Sequence, residues 1–156
     1  MGKKLTPNME NYLEAIKKIN EKEKVVRVKG IAEELNVKMP SVTEALENLQ
    51  QEGLIKHEKY GYIELTEKGS RLAEKIESRH KILFSFFTEI LGIDPQSADE
   101  DACKIEHVIS TVTLKRLLEF INFLKNSLEN EKLENFKTYL TQENSSSCRK
   151  ILKSKK

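Results

Sequence analysis

The sequence contains no tryptophan, only 6 glycines and 3 prolines, and only two cysteines, Cys103 and Cys148, among 156 residues. So few glycines argue against a glycine-rich nucleotide-binding enzyme. Two cysteines cannot build a disulfide framework, so we expect a reducing, cytoplasmic setting. Apolar runs of about 18 residues are also absent, and we therefore expect no membrane span, no signal peptide and no membrane partner.

Charge is abundant but almost balanced. Charged residues make up 33% of the chain and hydrophobic residues 38%, which is typical of a soluble globular protein. The net charge of +2 hides an uneven distribution, because residues 142–156 carry +4 and the remainder therefore carries −2. Any contact with DNA must come from locally placed cations. The serine- and lysine-rich segment 142–156 is expected to be a disordered basic tail.

Helical periodicity and helix-stop signals organise the first third of the chain. We predict helices over residues 7–20, over 28–35 and from Pro40 to Gly53. Thr6 can cap the first of these helices, and Asn36 suits a left-handed stop after the second. The gap of about four residues before the third helix is the spacing of a helix-turn-helix.

The following segment has the pattern of a β-hairpin. Two short strand-like runs, 54–59 and 62–65, flank a turn at Gly61, and Thr66 can cap the next helix. A helix, a helix-turn-helix and a hairpin in this order predict a winged helix. Amphipathic helices are predicted beyond it over 67–91, from Pro95 to about Ile109, from Ser110 or Thr111 to Leu128, and over 131–140. Their apolar stripes need covering, which favours an isologous homodimer.

Three residues near position 105 could hold a metal. Cys103, Glu106 and His107 share one face of a helix, so a thiol, a carboxylate and an imidazole would converge there. The alternative is a core cysteine, a hydrogen-bonded histidine and a solvated glutamate, because three residues on one helix leave the coordination shell incomplete. Asn11 and Glu14 on the first helix, and His80 on the long helix, have the pattern of ordinary surface residues when taken singly.

The start of the third helix is a candidate DNA-reading element. Small polar side chains there, Ser41 and Thr43, suit contact with phosphates and base edges, and Glu44 could accept from a cytosine. The alternative is a helical hairpin with no DNA role. The predicted DNA-binding residues are Arg27, Lys38, Met39, Pro40, Ser41, Thr43, Glu44, Lys56, Lys59 and Tyr60.

Taken together, these segments resemble the metal-dependent repressors of the diphtheria toxin repressor and manganese transport regulator family. The resemblance runs from Thr6 to about Leu128, and residues 103–107 add the motif Cys-x-x-Glu-His. Its specific pieces are residues 6–14, 31–37, 40–43, 58–69, 79–80 and 101–107. It implies the short, two-domain branch of the family, which lacks an SH3-like third domain.

The resemblance implies a mainly α fold in two domains. These are a winged helix-turn-helix domain with a small β-hairpin wing over residues 1–70, and an α-helical dimerisation and metal-binding domain over 71–141. The implied metal ligands are Asn11, Glu14, His80, Cys103, Glu106 and His107. A cation joining the two sets of ligands would favour the geometry in which a homodimer binds a palindromic double-stranded DNA operator and controls metal homeostasis genes.

Some positions depart from the family pattern. Asn11 stands where the manganese branch has an aspartate, and Cys103 where that branch has a bridging glutamate, so a bridged manganese pair is not expected. Phe84 and Asp99 replace a glutamate and a histidine of the iron branch's ancillary site, so a second site of that kind is not expected either.

The donor types predict Fe(II) first and Mn(II) next, with Co(II), Ni(II) or Zn(II) able to bind in vitro. One alternative is a winged-helix regulator that senses a small molecule or an oxidant through Cys103 without a metal. An enzyme is not expected, because a di-iron bundle needs Glu-x-x-His motifs on separate helices. The favoured interpretation has no small-molecule substrate.

Overall fold

The structure is a computed structural model that describes residues 5–23, 25–57, 61–127, 134–136 and 138–139. The chain divides into two compact units after Arg79, within one long helix, and each unit is described by itself. Within the described ranges, no helix is both long enough and apolar enough to cross a membrane.

The first unit contains three helices, a two-stranded antiparallel sheet and the beginning of a fourth helix. Its elements are α1 (Pro7–Lys22), α2 (Val28–Glu34), α3 (Met39–Gln51), β1 (Ile55–His57), β2 (Ile63–Leu65) and the first part of α4 (Glu67–Ser85). The predicted mainly α fold with a hairpin after the helix-turn-helix is confirmed.

Short-range signals set the limits of these helices. The Thr6 side chain accepts a hydrogen bond from the backbone N–H of Met9, which caps α1 as predicted. Asn36 has a φ of 50° and Gly53 a φ of 69°, so both take the left-handed conformation that ends a helix.

The core of the first unit forms where the helices meet the hairpin. Its largest buried side chains come from all three helices and from both sides of the hairpin, and include Leu13, Ile16, Ile31, Leu46, Leu49, Leu54 and Ile63. In the hairpin, Ile55 pairs with Leu65 and His57 with Ile63. An additional bridge pairs Val26 with Ile63, so the segment before α2 is fixed to β2.

The start of α4 is attached closely to the turn between α3 and β1. The Thr66 hydroxyl donates to the carbonyl of Gly53 at 2.8 Å and accepts from the N–H of Gly69 at 3.0 Å. The backbone N–H of Thr66 donates to the carbonyl of Leu54 at 3.0 Å. Gly69 packs so closely here that an added Cβ would lie 1.9 Å from the Leu54 carbonyl oxygen. Only glycine fits this position without displacing the backbone.

The second unit is helical. After the end of α4 come a π-helical turn (Phe86–Ile90), α5 (Pro95–Ile105) and α6 (Thr111–Ser127), and residues 134–136 and 138–139 are also helical. The Asp94 side chain caps α5 through the N–H of Ser97 at 3.0 Å. Leu128, the rest of 131–140 and the tail over 142–156 lie outside the described residues.

The predicted end of α5 near Ile109 is wrong, because the helix stops at Ile105. The N–H groups of Val108 and Ile109 both donate to the carbonyl of Ile105, which forms a turn. Ser110 then caps α6 through the N–H of Thr113 at 3.1 Å. Glu106 and His107 therefore lie at and after the helix end instead of within a continuous helical face.

The last helix, α6, has one buried and one exposed apolar side. Of the predicted stripe, Ile121 is buried and Leu114, Leu117 and Leu124 are half-buried, whereas Leu118 is 38% exposed. Two aromatic side chains on the other side, Phe120 and Phe123, are 49% and 61% exposed. Exposed aromatic side chains of this kind are typical of a surface that meets another protein.

Candidate metal centre and DNA-binding face

Glu106 is a buried carboxylate at the C-terminal end of α5. Its side chain is only 1% exposed, and a buried carboxylate is costly unless other groups compensate its charge. Two imidazoles lie against it in this structure. Nδ1 of His80 lies 2.9 Å from Oε2 of Glu106, and Nε2 of His107 lies 3.3 Å from Oε1.

The two histidines reach this carboxylate from different segments. His80 lies on α4 with its side chain 25% exposed, whereas His107 lies in the turn after α5 with its side chain 5% exposed. The hydrogen bond to Glu106 raises the pKa of His80 above its ordinary value, although partial burial acts in the opposite direction. The cluster therefore places a buried carboxylate against two imidazoles from different segments.

Asp99 is a second carboxylate in contact with His80. Its Oδ1 lies 3.1 Å from Nε2 of His80, and its side chain is 68% exposed. The sequence singled out Asp99 only as a departure from the family pattern. His80 on α4 and Asp99 on α5 are 19 residues apart in the sequence, so the periodicity of either helix could not predict this contact.

The donors of this cluster fit a divalent transition metal. Imidazole nitrogens and carboxylate oxygens are ordinary ligands of Zn(II), Fe(II) and Mn(II), and such a cation would offset the charge that burial makes costly. His80, Glu106 and His107 are the residues that would hold it. The structure thus brings together three of the six predicted ligands within the second unit.

The other three predicted ligands differ in setting. Cys103 lies on α5, one helical turn before Glu106, and is exposed. Asn11 and Glu14 lie on α1 of the first unit and are half-buried instead of fully exposed surface residues. Their roles as ligands stay predictions from the sequence.

The third helix, α3, presents the predicted reading residues on its solvent side. Val42, Ala45, Leu46 and Leu49 are buried against the core. The exposed residues include every predicted DNA contact on this segment, namely Lys38, Met39, Pro40, Ser41, Thr43 and Glu44. The Thr43 hydroxyl donates to the carbonyl of Met39 at 3.1 Å, and its oxygen can still accept a hydrogen bond. This face has the composition of a helix that contacts base edges and phosphates.

A cation at the start of α2 stacks on an aromatic ring beside the hairpin. Arg27 is exposed, and its Cζ lies 5.3 Å from the ring centroid of Tyr62, which is 54% exposed. The β-bridge between their neighbours, Val26 and Ile63, places Arg27 and Tyr62 side by side. The sequence did not predict a role for Tyr62, because the bridge joins segments far apart in the chain. Lys56 is exposed, whereas Lys59 and Tyr60 lie outside the described residues.

These features define a class of protein: a winged-helix transcriptional regulator with a helical second unit that holds a candidate metal centre. Two sequence models of known families match the chain. One is described as the iron-dependent repressor N-terminal DNA-binding domain and matches residues 4–63. The other, the iron-dependent repressor metal-binding and dimerisation domain, matches residues 66–132. The chain belongs to the DtxR/MntR family of metal-dependent transcriptional repressors, as the resemblance predicted. Members of this family are regulators and not enzymes.

Individual relatives support this assignment. The chain is 35% identical over 120 residues to the regulator MntR of Oceanobacillus iheyensis, covering 77% of this chain and 81% of that protein. It is 37% identical over 125 residues to a helix-turn-helix regulator of Methanocaldococcus jannaschii, covering 80% of this chain and 100% of that protein.

Solved structures agree with the assignment. The manganese regulator SloR matches with a TM-score of 0.66 and 33% identity, and the metal-dependent regulator MtsR with 0.69 and 30%. Each match covers 76% of this chain and 55% of the solved chain, so the present chain spans about half the length of those proteins.

Proposed function

We propose that this chain acts in the cytoplasm as a homodimer that binds a palindromic operator when a divalent metal occupies the cluster around Glu106, and thereby represses metal homeostasis genes. The observation that carries the proposal is the buried Glu106 carboxylate between His80 and His107, in a chain whose first unit is a winged helix. The family relationship supports a metal-dependent repressor that binds DNA and has a dimerisation domain.

The preferred ion is the finer part of the proposal. Fe(II) is favoured because Cys103 lies one turn before Glu106 and a thiolate is a soft ligand, with Mn(II) as the next candidate. The relatives with descriptive names include manganese regulators, which supports a divalent cation without supporting Fe(II) in particular. Asn11 and Glu14 are proposed as further ligands on the resemblance alone.

Metal and DNA binding must be coupled if this proposal holds. A coupling free energy of about 1–3 kcal/mol corresponds to a roughly 5–150-fold change in DNA affinity, and DNA tightens metal binding by the same factor. The test begins by selecting duplexes from a randomised pool with the full chain and Mn(II), under anaerobic conditions. Fluorescence anisotropy then measures affinity for the selected duplex in Mn(II), in Fe(II) and in chelator.

The expected result is an inverted repeat among the selected duplexes and a metal-dependent gain in affinity within that range. Equal affinity in chelator and in metal would contradict the proposal. The alternative, a metal-independent thiol sensor, requires that peroxide weaken DNA binding of the wild type but not of Cys103→Ser in chelator.

The reading role of α3 gives a separate prediction. Ser41→Ala combined with Thr43→Ala should lower discrimination between the selected duplex and a scrambled one, since each good base contact is worth about 1–3 kcal/mol. Mn(II) affinity without DNA should not change. Ser78→Ala is the matched control, because the Ser78 hydroxyl makes the same kind of bond to a helix carbonyl, that of Glu74, on α4. A double variant that discriminates as well as this control would exclude a reading role for the two hydroxyls.

Arg27 gives a prediction about salt. If its guanidinium neutralises a phosphate, Arg27→Ala should make the slope of log affinity against log salt shallower by about 0.9 for each phosphate that is no longer neutralised. Tyr62→Phe keeps the aromatic ring and should leave the slope unchanged. Lys29→Ala controls for removal of an exposed cation, since Lys29 pairs with Glu33 at 3.6 Å. An unchanged slope in Arg27→Ala would remove this residue from the DNA-binding face.

A further inference from the structure

His80 has a carboxylate at each of its ring nitrogens. Glu106 Oε2 lies 2.9 Å from Nδ1, and Asp99 Oδ1 lies 3.1 Å from Nε2. The two carboxylates differ strongly in burial, because the Glu106 side chain is 1% exposed and that of Asp99 is 68% exposed. The imidazole therefore connects a buried carboxylate with an exposed one.

A ring nitrogen that ligates a metal must be without its proton, and the remaining N–H then needs an acceptor. The partner of that N–H decides which nitrogen faces the metal. In this cluster the buried side of His80 is occupied by Glu106, which also contacts His107, so Nδ1 is the nitrogen that would face a cation held there. Asp99 stands where the acceptor for the Nε2 proton is needed.

The plane of the His80 ring is restricted as well. The ring stacks on that of Phe84 with a centroid separation of 6.3 Å and an interplanar angle of 14°. Phe84 cannot ligate a metal, so its contribution here is steric. Stacking limits rotation of the imidazole, while the contact with Asp99 distinguishes one ring nitrogen from the other.

We infer that Asp99 is a positioning residue for metal binding: its carboxylate accepts a hydrogen bond from the Nε2–H of His80 and thereby keeps Nδ1 available beside Glu106. The inference rests on the proposed function, in which His80 and Glu106 hold the cation. It gives Asp99 a role in binding at this cluster without making it a ligand of a second ion. The proton stays on Nε2, where Asp99 accepts its hydrogen bond, and Nδ1 is the nitrogen left for a cation.

The test measures metal binding alone, without DNA. Mn(II) is titrated into the full chain under anaerobic conditions, and affinity and stoichiometry are determined for the wild type, Asp99→Ala and Asp99→Asn. Loss of an outer-shell partner of a metal-bound histidine typically weakens affinity by about 10–100-fold. We expect that loss in Asp99→Ala, a smaller one in Asp99→Asn, whose amide oxygen can still accept, and an unchanged stoichiometry.

Two comparisons separate this role from a general charge effect. Asp101→Ala removes another exposed carboxylate of α5, one that pairs with Lys104 at 3.6 Å, and should change affinity far less than Asp99→Ala. In a His80→Ala background, Asp99→Ala should cause no further loss, because the effect of Asp99 passes through His80.

A spectroscopic readout follows the proton directly. Nitrogen-15 chemical shifts of the His80 ring in the Zn(II)-loaded chain should show a protonated Nε2 in the wild type. In Asp99→Ala the shifts should instead show a protonated Nδ1 or a mixture of the two tautomers. Since Asp99 is largely exposed, the variants are expected to fold, and circular dichroism checks this.

Several outcomes would overturn the inference. These are wild-type affinity and tautomer in Asp99→Ala, an equal loss in Asp101→Ala, or an additive loss in the His80→Ala background. A stoichiometry lower by one ion would make Asp99 a ligand instead. A wild-type chain that bound no Mn(II) would overturn the proposed function together with this inference, whereas normal wild-type binding with an unaffected Asp99→Ala would overturn the inference alone.

Discussion

Glu106→Gln is expected to remove metal-dependent DNA binding while leaving the fold intact. Glutamine has nearly the same shape and can still hydrogen-bond to His80, but it lacks the negative charge that attracts a cation. Because Glu106 contacts both imidazoles directly, its replacement should weaken Mn(II) binding by more than the roughly 10–100-fold expected for an outer-shell partner. The metal-dependent gain in DNA affinity should disappear, and His107→Ala should have the same effect.

Thermal unfolding provides an independent measurement of this prediction. A ligand present at about 100 times its Kd stabilises the folded state by roughly 2.7 kcal/mol, so Mn(II) should raise the Tm of the wild type and not that of Glu106→Gln. Glu100→Gln is the matched control, since Glu100 lies on the same helix with its side chain 59% exposed. If Glu106→Gln bound Mn(II) as tightly as this control, the cluster would not be the metal centre.

Gly69→Ala is expected to produce a large loss of stability in the first unit. The added Cβ would lie 1.9 Å from the carbonyl oxygen of Leu54, and the clash is with backbone, which cannot move aside as a flexible side chain can. The same carbonyl accepts from Thr66, so any displacement also disturbs the start of α4. Overpacking typically costs about 1–3 kcal/mol, and sites that cannot relax cost more.

Urea unfolding followed by circular dichroism measures this loss. Gly30→Ala is the control, because it makes the same change in α2, where the added Cβ would lie 3.9 Å from Ile19 Cδ1 in ordinary contact. Alanine is preferred over glycine in a helix by about 1 kcal/mol, so Gly30→Ala should be neutral or stabilising. Equal stability of the two variants would show that Gly69 does not pack closely on Leu54.

The sequence was informative wherever structure depends on neighbouring residues. The capping of α1 by Thr6, the left-handed stop at Asn36 and the end of α3 near Gly53 were predicted from local chemistry and are confirmed. Each of these features involves residues within one turn of each other, where side-chain type largely decides backbone conformation. The winged-helix order followed from them.

Features that depend on distant contacts were not predictable in the same way. The bridge between Val26 and Ile63 and the close packing of Gly69 on Leu54 join segments whose sequences give no sign of each other. The end of α5 was also placed too late, because apolar residues continue at helical spacing while the chain turns toward the cap at Ser110.

The candidate site depended on a different kind of information. Sequence spacing alone did not show whether Glu106 and His107 are metal ligands or ordinary residues. It also gave no reason to consider His80 as a ligand. The family resemblance linked the three, and the structure brings them together around one carboxylate. Asp99 could not be found this way, because it departs from the family pattern and its contact with His80 joins two different helices.

The π-helical turn at Phe86–Ile90 constrains how this region can change in length. Such a turn holds one residue more than an α-helical path over the same distance, so deleting a residue there would restore regular winding and shift the short segment that leads into α5. His80 lies before the turn and Asp99 and Glu106 after it, so a change of length there would act on the segment that connects these residues. Substitutions within the turn should therefore be tolerated more readily than insertions or deletions.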